Sequence, residues 1–421
     1  MSFPEIYQNP PLPLPPGVTE ARLLEWLKTV RVDGGGDEIE SYLRSDFRRF
    51  VYTFGLAAKA KTTGNKALEF GANPYFATWL LRQFTGFEWS YSNYFGSQLR
   101  NGMQDQTVSY TDFGTGEPVT EVLRYEHFNS EIDPFPYSDG SFSLVLYCEI
   151  IEHLLNDPCR VLQSISDVLA PGGHLVLTTP NVARMENILR LIDGANVYDP
   201  YSGYGPYGRH NREYTCSELS RLLSYMGFEI EEMFTADVHP LQHRGAIPAE
   251  TLKSLVGQRS DDLGQYIFTR ARKVSPPGVK KPAWLYRSLP AAMISTGDDD
   301  KVGTYGAKIS RTDTNAMSLG RKSTHQFRVR NVGLGAWDQD SLVFGARVYA
   351  PDGVVVREFR GTPVPFTACD AEREVSIELD LVGINCERVE LVFDIVNEHK
   401  YWFVDVGSQV LRIAQPMHSA T

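Results

Sequence analysis

The sequence "SFSLVLYCEIIEH", residues 141–153, combines two patterns that indicate a fold. Its first half is a continuous apolar run, which is typical of a strand buried on both faces of a parallel sheet. Its second half places Glu149, Glu152 and His153 at offsets of zero, three and four residues. On a helix, that spacing puts the three side chains on one face within a single turn. The sequence therefore predicts two carboxylates and an imidazole clustered at the junction between a strand and the helix that follows it.

Strands and helices alternate on both sides of this stretch. "KALEF" (66–70) and "HLVLTTP" (174–180) have the pattern of strands, whereas "YFATWLLRQF" (75–84) and "DPCRVLQSISDVLA" (157–170) have the pattern of helices. The segment 107–128 reads as a hairpin with "GTGEP" at its tip. This alternation predicts right-handed βαβ crossovers and a doubly wound, mostly parallel sheet. In such sheets the ligand lies at the carboxyl ends of the strands.

Changes in composition along the 421 residues predict several segments, because a chain of this length exceeds one ordinary core. The proline-rich "SPPGVKKP" indicates a linker, and the short alternating runs that follow it indicate a β-sandwich. The predicted segments are a proline-rich arm (1–17), a helical cap (18–65), an α/β domain (66–274), a linker (275–320) and a β-sandwich module (321–415).

The composition also limits partners and compartment. With 41 basic and 52 acidic side chains, the formal net charge is −11, which disfavours a general electrostatic grip on nucleic acid. The five cysteines form no CxxC pair, so neither a zinc ribbon nor a disulfide framework is predicted, and a cytoplasmic location is expected. The N-terminus lacks the pattern of a signal peptide. No apolar stretch approaches membrane-spanning length, so no membrane insertion is expected.

Four segments together resemble class I S-adenosylmethionine-dependent methyltransferases over about residues 40–274. They are "ALEFGANP" (67–74), "FPYSDGSFSLVLYCEIIEHL" (135–154), "VLQSISDVLAPGGHLVLTTPN" (161–181) and "RHNREYTCSELSRLLSYMGFEI" (209–230). The resemblance implies a seven-stranded Rossmann-like sheet that ends in an antiparallel hairpin, with S-adenosylmethionine bound along the strand tips. This methyltransferase domain would carry the N-terminal helical cap.

The resemblance also implies the donor-site residues. They are Gly71, Ala72 and Asn73 under the methionine half, Glu69 beside them, Asn93 at the ribose, Asn129 and Glu131 at the adenine, and Glu149 on the donor side. Two features depart from the family pattern. The loop "GANP" has a single glycine, and an amide, Asn93, stands where the family carries a carboxylate for the ribose hydroxyls. An amide binds a diol more weakly than a carboxylate does.

The spacing of the glutamates and the histidine resembles that of the small-RNA 3′-terminal 2′-O-methyltransferases. In those enzymes the pattern forms a Mg²⁺ site that a further histidine completes, and His210 occupies the comparable place here. The resemblance implies a Mg²⁺ or Mn²⁺ site of Glu149, Glu152, His153 and His210. Two other interpretations stay open. His153 or His210 could act as a general base without metal, or the glutamates could only complement a helix macrodipole.

Three further features bear on partners. The loop 196–214 has five tyrosines, which predicts a lid that binds a sugar or glycan acceptor. Arg48 and Arg49 are expected on a solvated helix face, with contact to a donor carboxylate as the alternative. "RVRNVGLGAW" (328–337) and "VFDIVNEHKYWFVDVG" (392–407) resemble Ig-like modules of bacterial polysaccharide-synthesis enzymes. This resemblance implies glycan or partner binding, and a structural or dimerising module is the alternative.

The leading functional prediction is S-adenosylmethionine-dependent O-methylation of a sugar hydroxyl, in glycan or glycosylated natural-product synthesis. A metal clamp, an aromatic lid and an appended sandwich would all suit an acceptor with neighbouring hydroxyls. Two alternatives remain. One is RNA 2′-O-methylation, and the other is a non-catalytic glycan-binding or scaffold protein that keeps the methyltransferase fold.

Overall fold

The structure is a computed structural model. It describes residues 7–36, 38–240, 249–256, 259–278, 280–290, 293–295, 305–333, 335–337, 341–351, 355–384, 386, 388–398, 401–406, 408 and 410–416. The chain forms two compact units. The first comprises Met1–Cys216 and Ile230–Lys273, and the second comprises Ser217–Glu229 and Val274–Thr421. Among the described residues, no helix is both long and apolar enough to cross a lipid bilayer.

The helices and the strands of the large sheet follow the predicted alternation. The helices are α1 (Glu20–Leu27), α2 (Glu38–Ala58), α3 (Phe76–Phe84), α4 (Pro158–Val168), α5 (Met185–Ile192), α6 (Cys216–Tyr225) and α7 (Ala249–Val256). The strands are β1 (Arg31–Val32), β2 (Lys66–Phe70), β3 (Glu88–Asn93), β4 (Gly102–Thr111), β5 (Pro118–His127), β6 (Phe142–Cys148), β7 (Leu169–Pro180), β8 (Phe228–Ala236) and β9 (Tyr266–Lys273).

These strands form one sheet in the order β1-β4-β5-β3-β2-β6-β7-β9-β8. Strands β5, β3, β2, β6 and β7 pair in parallel, whereas β9 is antiparallel to β7. The prediction of a mostly parallel sheet is thus confirmed. The predicted count of seven strands in this sheet is wrong, since the sheet contains nine strands among the described residues. The reason is that β4 pairs along all ten residues of β5 as an antiparallel hairpin, and β1 then pairs with β4.

The core of the first unit explains why α2 lies over the strand tips. Every residue of β6 but the last is buried, as the continuous apolar run predicts for a central strand. Phe47, Phe50 and Phe54 of α2 are buried in the same core cluster as Trp79 of α3. Burying one such side chain stabilises the fold by roughly 1.5–3 kcal/mol. This packing holds one face of α2 against the loop that follows β2.

The second unit contains the antiparallel strands expected of a sandwich. Its strands are β10 (Lys281–Pro282), β11 (Ile294–Ser295), β12 (Ala307–Arg311), β13 (Lys322–Asn331), β14 (Leu342–Tyr349), β15 (Val355–Pro363), β16 (Glu372–Asp380), β17 (Arg388–Asn397), β18 (Tyr401–Trp402) and β19 (Leu411–Pro416). One sheet has the order β12-β13-β16, and another has β15-β14-β17-β18 with β19 on β17. The predicted linker 275–320 therefore contains strands. The sheet β12-β13-β16 begins before residue 321, because all five residues of β12 pair with β13.

Candidate active site

The turn after β6 differs from the predicted helix. Glu149 has a left-handed backbone with φ 55°, and only Ile151–His153 forms a short 3₁₀ turn. The Glu149 N–H donates to the Thr178 carbonyl at 2.9 Å, which prolongs the pairing of β6 with β7 by one residue. The chain must then turn abruptly, so a shared helical face is the wrong description. The two glutamates instead reach different surroundings.

Two consecutive threonines at the end of β7 hold the two glutamates. The Thr178 hydroxyl donates to Glu149 Oε1 at 2.7 Å, and the Thr179 hydroxyl donates to Glu152 Oε2 at 2.9 Å. Both hydroxyls are buried at the edge where the parallel strands end. The strand tip therefore fixes the positions of both carboxylates, although nothing in the "TTPN" sequence alone signals this role.

A cavity of about 210 Å³ lies beside the tips of β2 and β6. Five of the predicted donor-site residues line it: Glu69, Gly71, Ala72, Asn73 and Glu149. Gly71 has φ 64°, and a Cβ there would lie 3.2 Å from Ile150 Cδ1, so the turn requires glycine. The buried Glu69 carboxylate accepts a hydrogen bond from Thr78 at 2.6 Å, and burial raises the pKa of Glu69 to about 8.

The remaining predicted donor residues lie at neighbouring strand ends but do not line this cavity. The Asn93 amide oxygen accepts the Asn73 N–H at 2.9 Å, so Asn93 braces the loop after β2. Asn129 accepts the N–H of Glu131 at 2.9 Å within its own turn. The Glu131 carboxylate accepts backbone N–H groups from residues 155–157 and the Tyr207 hydroxyl. Contacts of Asn93, Asn129 and Glu131 with the donor stay predictions.

Three of the four predicted metal ligands converge. One ligand atom from each of Glu152, His153 and His210 lies within 4.8 Å of the others, and the two imidazole rings are 5.0 Å apart. Glu149 falls outside this group, since its other carboxylate oxygen faces Arg49 Nη1 at 3.7 Å. His210 therefore lies beside residues that follow β6, as predicted, whereas Glu149 lines the cavity.

Each imidazole is oriented through its Nδ1 atom. His153 Nδ1 lies 2.9 Å from the Arg209 carbonyl, and His210 Nδ1 lies 2.9 Å from Glu213 Oε1. When both Nδ1 atoms donate these hydrogen bonds, the Nε2 atoms keep lone pairs for a metal ion or a proton. Burial lowers the pKa of His153, and the charge of His210 lowers it further. Although burial opposes it, the bond to Glu213 and the charge of Glu152 raise the pKa of His210.

Glu152 tests whether these residues fit a divalent ion. Its side chain is completely buried, and its Oε1 atom has no hydrogen-bond partner among the described residues. Burial and the nearby charge of Glu149 raise the pKa of Glu152 to about 8. Buried carboxylate oxygens normally have a partner. One orphaned carboxylate oxygen beside two oriented imidazoles is therefore a donor set that fits a bound cation.

Arg49 was expected on a solvated helix face, with contact to a donor carboxylate as the alternative, and the solvated face is wrong. Its side chain is buried, lines the cavity and pairs with Asp46 at 2.8 Å. The rings of Tyr42, Phe50 and Tyr266 lie 5.3–5.9 Å from its guanidinium carbon. The signal was present, because residues 42, 46, 49 and 53 repeat at helical spacing along one side of α2.

The predicted lid borders the cluster. Tyr198, Tyr201 and Tyr204 are 84%, 93% and 95% exposed, whereas the segment that follows them turns inward. The His210 N–H donates to Asp199 Oδ2 at 3.0 Å, which ties the tyrosine-bearing loop to the cluster. Glu213, which orients His210, was not predicted, although its spacing of three residues from His210 was visible in "HNRE".

Part of the chain is similar to known methyltransferases. Residues 40–233 match the family model described as a methyltransferase domain, and these residues include both the cavity and the cluster. Similar curated proteins include a ubiquinone biosynthesis O-methyltransferase of Psychrobacter arcticus, 27% identical over 136 residues that cover 30% of this chain and 48% of that protein. Another is a probable S-adenosylmethionine-dependent methyltransferase of Mycolicibacterium smegmatis, 31% identical over 97 residues that cover 23% of this chain and 32% of that protein.

Both matches span less than half of the relative's own length. Among solved structures, a SAM-dependent methyltransferase from Archaeoglobus fulgidus is 14% identical with a TM-score of 0.35, covering 55% of this chain and 94% of its own. A further one, described as a possible histamine N-methyltransferase from Thermotoga maritima, is 16% identical with a TM-score of 0.33, covering 61% of this chain and all of its own.

Proposed function

We propose that the protein transfers a methyl group from S-adenosylmethionine to a hydroxyl oxygen of a sugar or glycan acceptor. The observation that carries this proposal is the adjacency of the cavity and the cluster, whose glutamates are held by the consecutive Thr178 and Thr179. The match of residues 40–233 to a methyltransferase domain supports the reaction class. The curated name O-methyltransferase, borne by the Psychrobacter relative, supports oxygen as the accepting atom.

In this proposal the cavity holds the amino-acid end of the donor. Arg49 offers a guanidinium to the donor carboxylate, because it lines the cavity and is held there by Asp46 and Glu149. Glu69 and Glu149 offer carboxylates to the donor ammonium and sulfonium. Methyl transfer is an in-line displacement, so the protein's main task is to align the acceptor oxygen, the methyl carbon and the sulfur.

The cluster handles the acceptor hydroxyl. The Nε2 atom of His153 or His210 accepts the proton that the hydroxyl loses, and Glu213 and the Arg209 carbonyl hold the two rings in place. The alternative is a divalent ion held by Glu152, His153 and His210, which would lower the pKa of a coordinated hydroxyl; imidazoles that bind the ion would then not serve as bases. Of the two ions expected from the sequence, Mn²⁺ suits two imidazole nitrogens better than Mg²⁺, which prefers oxygen ligands.

The sugar assignment rests on the lid. Tyr198 and Tyr204 are nearly fully exposed and offer ring faces on which sugars stack, whereas the Arg209 guanidinium lies over one face of Tyr201. RNA 2′-O-methylation remains the competing acceptor class, because a ribose terminus also carries neighbouring hydroxyls. The net charge of −11 disfavours it. We also propose that the second unit binds a glycan or a partner, or mediates self-association. A cytoplasmic location is part of the same proposal.

The test is a methyl-transfer assay with labelled S-adenosylmethionine over nucleotide sugars, glycans, a catechol and a short RNA. The proposal predicts transfer to a sugar hydroxyl. Transfer to RNA or to the catechol alone would overturn the sugar assignment and keep the reaction. Failure of the protein to bind S-adenosylmethionine at millimolar concentration would overturn the enzyme itself and favour the non-catalytic scaffold.

A further inference from the structure

One short segment touches the donor side and the cluster at once. This bridging loop (residues 206–213) contains a 3₁₀ turn at Pro206–Gly208, and it supplies both Tyr207 and His210. Tyr207 and His210 are only three residues apart, yet their side chains reach different groups. The loop therefore joins two places that the proposed reaction must bring together.

On the donor side, the Tyr207 hydroxyl donates to Glu131 Oε2 at 3.0 Å, and its ring meets Tyr94 edge-on with centroids 6.0 Å apart. Tyr94 directly follows Asn93, whose amide oxygen accepts the Asn73 N–H of the cavity loop. Ligands of doubly wound sheets lie outside these carboxyl strand ends. Under the proposed function, Tyr207 therefore contacts Glu131, one of the two residues predicted to flank the adenine.

On the cluster side, the bridging loop is bonded to the turn that carries Glu152 and His153. The N–H groups of Asn211 and Arg212 donate to the Glu152 carbonyl at 2.7 and 3.1 Å. The Asn211 amide donates to the His153 carbonyl at 2.9 Å, and the Arg209 carbonyl faces His153 Nδ1. These hydrogen bonds hold His210 beside Glu152 and His153.

Glu131 connects the two sides. Besides Tyr207, its carboxylate accepts the N–H groups of Leu155, Asn156 and Asp157, which immediately follow the turn. Burial alone would raise the pKa of Glu131, but these N–H donors hold it below its usual value, so the group stays charged. One buried carboxylate thus fastens both the turn and the bridging loop.

We propose that Tyr207 is a positioning residue that couples occupancy of the donor site to assembly of the Glu152–His153–His210 cluster. This inference rests on the proposed function and adds its regulation. A donor that packs against the bridging loop stabilises the position in which the Tyr207 hydroxyl binds Glu131. It therefore also stabilises the arrangement in which the three cluster residues lie together. By linkage, a cation in the cluster must favour the donor by the same factor.

The experiment is a binding cycle on the full-length protein by titration calorimetry. Mn²⁺ is titrated with and without saturating S-adenosylhomocysteine, and S-adenosylhomocysteine is titrated with and without Mn²⁺. We expect each ligand to tighten the other by the same factor, about fivefold or more. Tyr207→Phe removes the hydroxyl that binds Glu131 but keeps the ring, so the factor should fall towards one. Tyr204→Phe, at an exposed position of the same lid, should keep the wild-type factor.

The outcomes separate the two proposals. If both ligands bind the wild-type protein but neither changes the other's affinity, the coupling is overturned and the proposed function stands. A factor undiminished in Tyr207→Phe would overturn the role of Tyr207. Absence of Mn²⁺ binding would overturn the coupling alone, whereas absence of S-adenosylhomocysteine binding would overturn both proposals.

Discussion

Glu152 has a buried carboxylate oxygen that bonds to none of the described residues and lies beside two imidazoles. It is fully buried, it bonds Thr179 through one oxygen, and its other oxygen has no partner among the described residues. Leaving a buried polar atom unsatisfied costs about 1–3 kcal/mol. A cation bound at the cluster, as proposed, would remove that cost.

This environment predicts a pH dependence of stability in metal-free protein. The pKa of Glu152 is about 8 in the folded state, against an ordinary value of 4.5. Between these values the folded protein holds a proton that the unfolded chain has lost, so the free energy of unfolding falls as pH rises through this window. Glu152→Gln should weaken that fall, as measured by urea unfolding from pH 4 to 9 with chelator. An unchanged pH dependence would show that Glu152 is not the group responsible.

Arg49 gives a second prediction, on donor affinity. Replacing Arg49 by Met removes a charge-assisted contact with the donor carboxylate, worth about 1.5–3 kcal/mol, or roughly 10- to 100-fold in affinity. The loss should be much smaller for decarboxylated S-adenosylmethionine, which lacks that group. Arg44→Met, on an exposed part of the same helix, is the matched control. Equal losses for both donors in calorimetry would contradict the assigned role.

At the residue scale, the sequence pointed to most of the site but not to its geometry. Glu69 and Gly71 could be placed because they follow a predicted strand and strand ends meet at one edge of a parallel sheet, whereas the place of His210 was implied by the resemblance to small-RNA methyltransferases. The direction of Glu149 could not, since the left-handed turn depends on one extra hydrogen bond to Thr178. Arg49 was missed because helical spacing reports a face, whereas burial depends on what packs against that face.

At the scale of elements, the loop between β2 and α3 is the part of the donor site most restricted by backbone geometry. Gly71 adopts a positive φ, and an added Cβ would press on Ile150. Gly71→Ala should cost about 1–2 kcal/mol of stability and weaken donor binding. Gly86→Ala is the control, since a Cβ there meets nothing within 4 Å. Thermal unfolding together with donor calorimetry checks this, and equal effects of the two substitutions would contradict it.

Element boundaries were predictable where a local pattern decides them. Strand β2 spans Lys66–Phe70, as its apolar run predicts, and the Thr19 side chain caps α1 by accepting the N–H of Arg22 at 3.3 Å. The helix predicted after β6 failed, because a spacing of three and four residues is equally compatible with a tight turn. The extension of the sheet by β4 and β1 follows from hairpin register, which composition does not reveal.

At the scale of the whole molecule, the net charge predicts weak binding to nucleic acid. The excess of acidic side chains gives a formal net charge of −11, which opposes counterion-driven binding to a polyanion. We expect no retention of short single-stranded RNA in filter binding at 150 mM salt, and a salt slope close to zero. Tight binding with a steep salt dependence would instead revive RNA as the acceptor.

The central claim is that the cavity and the cluster serve one methyl transfer. The most direct measurement is single-turnover transfer at saturating donor, comparing wild type with His210→Ala. We expect His210→Ala to keep the metal-free donor affinity and to slow transfer about 10²- to 10⁴-fold, the usual contribution of a general base. An unchanged transfer rate in His210→Ala, with a sugar acceptor that the wild type methylates, would contradict the account.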